Sequence, residues 1–277
     1  MSGKLILLAT PIGNLGDMSP RAVETLKSAD FIAAEDTRVT LKWLNHFEIK
    51  KPLVSYFEHN KRQKGEYIIG RILAGETCIL VSDAGLPAIS DPGEDLVSLC
   101  HIKNINVTMI PGPCACVSAL SVSGLPSGRF TFEGFLSVNK KSRNDHLASI
   151  KLESRTMIFY EAPHKLLQTL KDFYEAFGNR KISVIRELTK IHEEIFLTTL
   201  KSAIDKYESE PIKGEFVLVI EGHKAEQTGN NKVTLTEAVK MAAPLLESGL
   251  SISETARQIA KDTGLRKGDI YKELLKL

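Results

Sequence analysis

Residues 78–93, with the sequence CILVSDAGLPAISDPG, decide the predicted fold more than any other stretch of the chain. The segment starts as a short apolar run, which is typical of a buried strand, and then changes to small residues, prolines and carboxylates. Small residues let the backbone approach a ligand closely, and proline lowers the entropy lost on binding. In open α/β sheets, ligands bind beyond the carboxyl ends of strands. The segment therefore predicts an α/β sheet with a binding site at the end of this strand.

Two further junctions have the same character. The run 5–9 is followed by TPIGNLGD at residues 10–17, and the run 107–110 is followed by PGPCAC at residues 111–116. A single loop of this kind would indicate ordinary turn chemistry. Three of them, each at the end of a strand of one sheet, favour a shared crevice for a cofactor.

The rest of the N-terminal half alternates between strands and helices. The apolar runs predict strands at 5–9, 31–34, 53–56, 78–82 and 107–110. Amphipathic patterns between them predict helices at 20–29, 37–47, 60–74 and 93–103. Apolar strands separated by helices indicate a parallel sheet that is covered on both faces.

The second half predicts a different sheet. Strand patterns occur at 130–135, 156–160, 182–186, 194–200 and 216–221. The strand at 194–200 follows its predecessor with no room for a helix, which indicates antiparallel neighbours and a mixed sheet.

The C-terminal part is predicted to be a small helical module. Residues 223–232 are polar and indicate a linker, and helical patterns follow at 235–247, 252–262 and 267–277. The short glycine-containing turn at Gly264 gives the last two helices the spacing of a helix-turn-helix. The expected domains are 1–111, an N-terminal α/β domain; 112–226, a second α/β domain; and 227–277, the linker and helical module.

Composition excludes several classes of protein. The 277 residues are 43% hydrophobic and 25% charged, as in an ordinary globular protein, and the formal net charge is +2. All of the excess positive charge lies in residues 232–277, which carry eight Lys and Arg against six Asp and Glu. The four cysteines form no CxxC pair, so no metal site is expected. No apolar run reaches the roughly 20 residues that span a bilayer, so no membrane association is expected.

Local motifs leave the cofactor open. The strand-to-loop junctions contain no GxGxxG and no P-loop sequence. The ExGxGxG of common Rossmann-like methyltransferases, the GxSxG elbow and HExxH are missing as well. The residues by themselves predict a pocket lined by loops, without naming its ligand.

Seven motifs, in order, carry a resemblance to a known family. They are TPIGNLGDMSPRA, AAEDTR, SDAGLPAISDPG, PGPCA, FYEAPHK, RELTKIHE and GEFVLVIEG. Together they resemble the tetrapyrrole-methylase-fold, or class III, methyltransferases that use S-adenosylmethionine. Within that superfamily the set resembles the branch that methylates the ribose 2′-hydroxyl of a cytidine in the decoding region of 16S rRNA. The resemblance covers nearly the whole chain, and it implies a cytoplasmic homodimer that acts on 16S rRNA within the small ribosomal subunit.

The resemblance also implies where S-adenosylmethionine is held, in a cleft between the two α/β domains. The implied cofactor-binding residues are Pro11, Asp83, Ala84, Gly85, Ile89, Ser90, Cys114, Ala115, Cys116, Tyr160, Glu161, Ala162, Phe216 and Val217. Cys114 and Cys116 depart from the pattern, because Ser or Ala is more usual at these positions.

Catalytic candidates are the charged groups that follow two strands. A carboxylate of Glu35, Asp36 or Glu187 could accept the proton of the attacking hydroxyl. Arg38 or Lys190 could stabilise oxyanion or phosphate charge. Glu35 and Asp36 are equally well explained as residues that cap the following helix and pair with Arg38.

Positive and polar side chains provide candidates for RNA contacts. Residues 139–143 are predicted to be a basic loop over the groove, although the plain start of a solvated helix explains them equally well. The predicted RNA-binding residues are Asn14, His59, Lys140, Lys141, Arg143, Arg266, Lys267 and Lys272.

Two alternative functions stay open at this stage. One is a C-methyltransferase of tetrapyrroles on the same fold, which the C-terminal helices disfavour. The other is a helix-turn-helix regulator with a small-molecule domain, which the small net charge disfavours.

Overall fold

The computed structural model describes residues 3–224 and 233–276. The chain divides into two compact units, Met1–His223 and Lys224–Leu277. Both predicted sheets lie in the first unit. Most of the predicted linker, including the proposed boundary between residues 226 and 227, lies outside the described residues.

The first sheet of this unit is entirely parallel. Its strands are β1 (Lys4–Leu8), β2 (Phe31–Ala34), β3 (Leu53–Ser55), β4 (Thr77–Val81) and β5 (Asn106–Ile110), in the order β3-β2-β4-β1-β5. Its helices are α1 (Pro20–Ser28), α2 (Thr37–His46), α3 (Lys61–Leu73) and α4 (Glu94–Ile102). Helices α1 and α2 pack on one face, around Leu26 and Trp43. Helices α3 and α4 pack on the other, around Ile68 and Leu96. The prediction of a parallel sheet covered on both faces is confirmed.

The second sheet is mixed, as predicted. Its strands are β6 (Phe130–Phe135), β7 (Thr156–Glu161), β8 (Lys181–Arg186), β9 (Glu194–Thr199) and β10 (Phe216–Ile220), in the order β6-β7-β10-β8-β9. Strands β6 and β7 are parallel, and the other pairs are antiparallel. Its helices are α5 (Ala115–Val122), α6 (Lys140–Ser149), α7 (Leu166–Phe177) and α8 (Leu200–Ser209). Helix α5 covers one face, and α6, α7 and α8 cover the other.

Of the two interpretations of residues 139–143, the basic loop is wrong and the plain start of a helix is confirmed. Lys140 to Arg143 form the first turn of α6, and Asn139 is its N-cap. The Asn139 Oδ1 accepts a hydrogen bond of 3.1 Å from the Ser142 backbone N–H. An asparagine that satisfies one of the free amides at a helix start stabilises the helix from this residue onward.

The second unit is a three-helix module, as predicted. It contains α9 (Leu235–Glu247), α10 (Ile252–Thr263) and α11 (Lys267–Leu274). Capping boxes begin α9 and α10, with Thr234 paired to Glu237 and Ser251 paired to Glu254. Gly264 ends α10 with a left-handed φ of 72°, a conformation that favours glycine. The helices pack around a small core formed by Ala238, Ala242, Ala256, Ile259, Ile270 and Leu274.

None of the helices in the described ranges has both the length and the apolar character that a membrane crossing requires.

Candidate active site

A cavity of about 560 Å³ lies in the first unit, where the loops that follow strands of both sheets meet. This size is in the range of small-molecule sites. The loops of the first sheet contribute Ile12, Glu35, Asp83, Ala84, Gly85, Leu86, Ile89, Ser90 and Asp91. The start of α5 and the second sheet contribute Cys114, Ala115, Phe135, Tyr160, Glu161, Ala162, Pro163, Ile185, Leu188, Lys190, Glu215, Phe216 and Val217. The three loops singled out in the sequence therefore converge on one cavity.

Backbone hydrogen bonds join two of these loops. The Thr10 N–H donates to the Gly85 carbonyl at 2.9 Å, and the Gly85 N–H donates to the Thr10 carbonyl at 3.1 Å. Gly85 has a φ of +83°, and a Cβ there would lie 3.2 Å from Cγ2 of Ile12. Glycine is thus required at this junction both by its conformation and by the closeness of the loop after β1.

Three carboxylates, Glu35, Asp83 and Asp91, line one wall of the cavity. Burial raises the pKa of Glu35, and the nearby negative charges of Asp91 and Asp83 raise it further. Burial likewise raises the pKa of Asp83 and of Asp91. Asp83 also accepts a hydrogen bond of 3.0 Å from the Asp36 N–H, which fixes its position. A positively charged ligand in the cavity would offset the repulsion in this wall.

Asp36 and Arg38 pair with each other at the start of α2 and do not line the cavity. Asp36 is the N-cap and accepts 2.8 Å from the Arg38 N–H, while the Arg38 guanidinium donates to its other oxygen at 2.6 Å. The hydrogen bonds from Arg38 lower the pKa of Asp36 to about 2. The sequence allowed Asp36 and Arg38 to be either catalytic groups or a helix cap and its partner. The structure shows the helix cap.

Lys190 also lines the cavity and is held by two carboxylates outside the wall just described. Its Nζ donates to Oε1 of Glu187 and to Oε2 of Glu215, both at 2.9 Å. Burial by itself would lower the pKa of Lys190, but these two hydrogen bonds outweigh it and raise the pKa. Burial would raise the pKa of Glu187, yet the hydrogen bond from Lys190 lowers it. Lys190 is therefore a fixed cation in the cavity, and Glu187 is the anion that positions it.

The loop that carries Lys190 also explains why residue 13, in the loop after β1, is a glycine. A Cβ on Gly13 would come within 2.5 Å of Cγ of Lys190. Any side chain at this position would push the lysine stem away. Because Gly13 has no side chain, the loop after β1 can lie directly against the loop that carries Lys190.

The wall formed by β7 is supported from behind by a polar network. Glu161 accepts 2.8 Å from the Ala162 N–H and 2.5 Å from the Thr169 hydroxyl. The Arg143 guanidinium donates 2.9 Å to the Thr169 hydroxyl and is ion-paired with Asp172. Its side chain is only 11% exposed, so Arg143 supports the cavity wall and does not extend into the solvent.

Cys114 is the residue at which the loop after β5 becomes helix α5. It lines the cavity, and its Sγ lies 3.5 Å from Sγ of Cys116. Cys116 is 4% exposed, lies behind the wall, and donates its backbone N–H to the Tyr160 hydroxyl at 3.0 Å. Pro11 and Cys116 are the two predicted cofactor residues that do not line the cavity.

The predicted RNA-binding residues other than Arg143 are all exposed, and they belong to several elements of the two units. Asn14 caps the short turn Leu15–Asp17, and His59 lies edge-on to Phe57. Lys140 and Lys141 are in the first turn of α6. Arg266, Lys267 and Lys272 belong to the helical module.

Sequence reasoning missed several cavity residues. Asp91 lies in the same loop as Asp83 and is the third carboxylate of the cavity wall. Glu215 directly precedes β10, and Phe135 ends β6 beside Tyr160 at a ring distance of 5.6 Å. Their position at strand ends was the available signal.

The described residues contain no group of three or more His, Cys, Asp or Glu side chains that could hold a metal ion.

Two α/β sheets meet at a cavity lined by their loops, and comparison with known proteins gives the class to which this arrangement belongs. The sequence profile described as Tetrapyrrole (Corrin/Porphyrin) Methylases matches residues 4–204, and the chain belongs to this family. The resemblance predicted from the seven motifs is thereby confirmed, as is the expected use of S-adenosylmethionine.

Individual curated relatives match more of the chain than the family profile does. A protein of Synechocystis named ribosomal RNA small subunit methyltransferase I is 47% identical over 277 residues, which cover 99% of this chain and 98% of the relative. A Thermotoga maritima protein with the same name is 45% identical over 220 residues, which cover 79% of this chain and 99% of the relative.

Solved structures support the fold. Uroporphyrin-III C-methyltransferase from Thermus thermophilus, complexed with S-adenyl homocysteine, has a TM-score of 0.54 at 14% identity and covers 78% of this chain and 97% of its own.

Proposed function

We propose that the protein transfers the methyl group of S-adenosylmethionine to the ribose 2′-hydroxyl of a cytidine in the decoding region of 16S rRNA, within the small ribosomal subunit in the cytoplasm. The observation that carries this proposal is that one cavity is lined both by three carboxylates and by a fixed cation, Lys190. The names of the relatives that match the whole chain support rRNA as the acceptor.

The residues of the cavity fit the proposed cofactor. The sulfonium and the amino group of S-adenosylmethionine are cationic, and Glu35, Asp83 and Asp91 form a wall whose charges repel one another. Ala84, Gly85 and Ser90 leave room beside these carboxylates, and Ile89 adds apolar surface. On the second sheet, Tyr160, Glu161 and Ala162 with Phe216 and Val217 form the adenosine side. Cys114 and Ala115 border the amino-acid end, while Cys116 and Pro11 support the wall from outside.

The cofactor supplies a methyl group already activated on a sulfonium, so the protein's task is to prepare the hydroxyl. Glu35 is proposed as the proton acceptor, because its raised pKa brings it nearer to neutral pH, where general bases work best. Lys190 is proposed to stabilise the developing negative charge or a neighbouring phosphate. Glu187 positions Lys190, and the Asp36–Arg38 pair holds the start of α2 and therefore Asp83.

RNA contacts are proposed for exposed positive charges. Lys140 and Lys141 are exposed at the start of α6, and Arg266, Lys267 and Lys272 are exposed in the helical module. Asn14 and His59 add polar groups on the loops after β1 and β3. The target nucleotide must leave its stack to expose the ribose, and the 2′-hydroxyl itself distinguishes RNA from DNA.

Two measurements test this function. Titration calorimetry with S-adenosylmethionine should show binding that Asp83→Asn weakens, because the neutral amide lacks the charge of the carboxylate. The exposed Asp17→Asn is the matched control, and equal affinities of wild type and Asp83→Asn would contradict the proposed cofactor site.

The acceptor is tested with small subunits that lack the modification. Incubation with labelled cofactor should give a ribose-methylated, alkali-resistant dinucleotide containing cytidine. Label on a tetrapyrrole and none on the rRNA would favour the C-methyltransferase alternative.

We also propose a homodimer. The outward face of α5 exposes Val117 and Val122, and the edge strands β5 and β9 expose Met109 and Leu197. Unpaired edge strands with exposed apolar side chains favour association. Sedimentation velocity should show a dimer that Val117→Lys shifts toward monomer; a wild-type monomer at micromolar concentration would contradict it.

A further inference from the structure

Two thiols lie together in the wall of the cavity, and the proposed methyl transfer uses neither of them. Sγ of Cys114 and Sγ of Cys116 are 3.5 Å apart, and all four cysteines of the chain are free thiols. A disulfide has an S–S distance of about 2.05 Å, so a shift of about 1.5 Å would join them. Because both residues lie where α5 begins, small changes in side-chain torsions and in the first turn can supply this shift.

The two thiols differ in accessibility and chemistry. Cys114 is partly exposed in the cavity, whereas Cys116 is buried behind it. The hydrogen bond from the Cys116 thiol lowers the pKa of Cys114, with a further contribution from the backbone N–H groups of Val117 and Cys116. The same contact raises the pKa of Cys116. Cys114 therefore has the properties of an attacking thiolate, and Cys116 those of a resolving thiol.

The other two cysteines have neither property. Cys78 and Cys100 are each 0% exposed in the core of the first sheet, and burial raises the pKa of both thiols. They serve as internal controls for reactivity.

We propose that Cys114 and Cys116 form a thiol-modification site at which a low-molecular-weight disulfide converts the pair to an intrachain disulfide, and that this closure weakens cofactor binding. The second part rests on the proposed position of S-adenosylmethionine in this cavity.

The exchange proceeds in two balanced steps. The Cys114 thiolate attacks one sulfur of the external disulfide, forming a mixed disulfide and releasing one thiolate. The Cys116 thiol gives its proton to the thiolate released in the first step and attacks Sγ of Cys114, which breaks the mixed disulfide and releases the second thiolate. Two protein thiols are oxidised, and one external disulfide is reduced to two thiols.

The effect on the cofactor follows from the geometry of the wall. Closure moves Cys114, which lines the cavity, and disturbs the backbone that carries Ala115 and the hydrogen bond from Cys116 to Tyr160. A ligand in the cavity should cover Cys114 and so slow its oxidation. At equilibrium, coupling is reciprocal, so bound cofactor should disfavour the disulfide by the same factor by which the disulfide weakens binding.

The test uses the full chain and glutathione disulfide as the probe. Peptide mapping by mass spectrometry should find the Cys114–Cys116 linkage, with Cys78 and Cys100 still reduced. S-adenosylhomocysteine should slow its formation, and the oxidised protein should bind S-adenosylmethionine about tenfold more weakly than the reduced protein.

Two variants check the assignment, each compared with its own reduced form. Cys116→Ser should stop at a mixed disulfide on Cys114, and Cys114→Ser should leave Cys116 unmodified because it is buried. Thermal unfolding of the reduced variants confirms that both are folded.

The outcomes separate the two proposals. If the reduced wild type does not bind S-adenosylmethionine, the proposed function fails. If it binds but glutathione disulfide gives no Cys114–Cys116 linkage, or the linkage leaves affinity unchanged, the present inference is overturned.

Discussion

At the scale of single residues, the carboxylate wall brings together negative charges that repel one another. This repulsion lowers the stability of the ligand-free protein. Glu35 and Asp83 lie in a partly buried wall with Asp91, and burial together with mutual repulsion raises the pKa of Glu35. A carboxyl whose pKa is raised on folding contributes most to stability at low pH. That contribution is lost as the pH rises through the folded-state pKa. At neutral pH, the wall therefore destabilises the ligand-free protein.

This argument predicts the behaviour of Glu35→Gln. The variant should unfold at a higher temperature than the wild type at about pH 7.5, and the difference should shrink toward pH 4, where the wild-type carboxyl is protonated. Its affinity for S-adenosylmethionine should fall about tenfold, because a charged partner is lost. Thermal unfolding across pH and calorimetry measure the two effects.

The matched control is Glu24→Gln, which removes one charge from an exposed position on α1. It should show no pH-dependent gain in stability. A gain in Glu35→Gln that is equal at every pH would show that the gain does not come from the titration of this carboxyl.

At the scale of elements, the connection between β8 and β9 carries the cation of the site. Glu187 and Thr189 have positive φ values of 50° and 68°, although neither is glycine. Such conformations cost about 1–3 kcal/mol each. The loop is held in this shape by the ion pairs of Lys190 and by the Thr189 N–H, which donates 2.6 Å to Glu193. The strained backbone of Glu187 and Thr189 directs the side chain of Lys190 into the cavity.

Removal of that cation should affect chemistry more than cofactor binding. Lys190→Met keeps the stem that packs against Gly13 but lacks the charge, so methyl transfer should fall by about 10²–10³-fold. Affinity for S-adenosylmethionine should change less than the rate does. Single-turnover methylation of small subunits and calorimetry separate the two quantities.

Lys213→Met, on the exposed segment before β10, is the control for loss of one positive charge. An unchanged rate in Lys190→Met, or a loss confined to cofactor affinity, would remove Lys190 from the proposed chemistry.

At the scale of the whole molecule, the chain combines a catalytic body with a separate helical module. The 220 residues aligned with the Thermotoga maritima relative cover 99% of it, so that protein is about as long as the unit Met1–His223. All residues that line the cavity lie in this unit, so we expect the unit to bind the cofactor without the helical module.

Truncation after Lys224 should therefore leave S-adenosylmethionine binding unchanged. Methylation of small subunits at limiting concentration should fall about tenfold, because the module's three proposed RNA contacts, Arg266, Lys267 and Lys272, are lost with it. The slope of the logarithm of activity against the logarithm of salt concentration should become shallower by up to about two. The full-length triple variant Arg266→Gln, Lys267→Gln, Lys272→Gln should reproduce this loss. Full activity of both proteins would assign the module a role other than RNA binding.

The sequence by itself determined the elements, the two kinds of sheet and the loops that meet at the cavity. These features depend on local patterns: apolar runs for strands, and caps such as Ser19 before Pro20 for helices. The seven ordered motifs were sufficient to predict the family. The helix start at Asn139, one of the two interpretations of residues 139–143, also carried a local capping signal.

Only the tertiary structure decided which partner each charged side chain takes. Arg143 turns inward to Thr169 and Asp172, and Lys190 pairs with Glu215, 25 residues further along the chain. The energy of a charge depends on burial and on distances of a few ångströms. Those distances are set when the two sheets and their loops pack together, and no local pattern in the sequence encodes them.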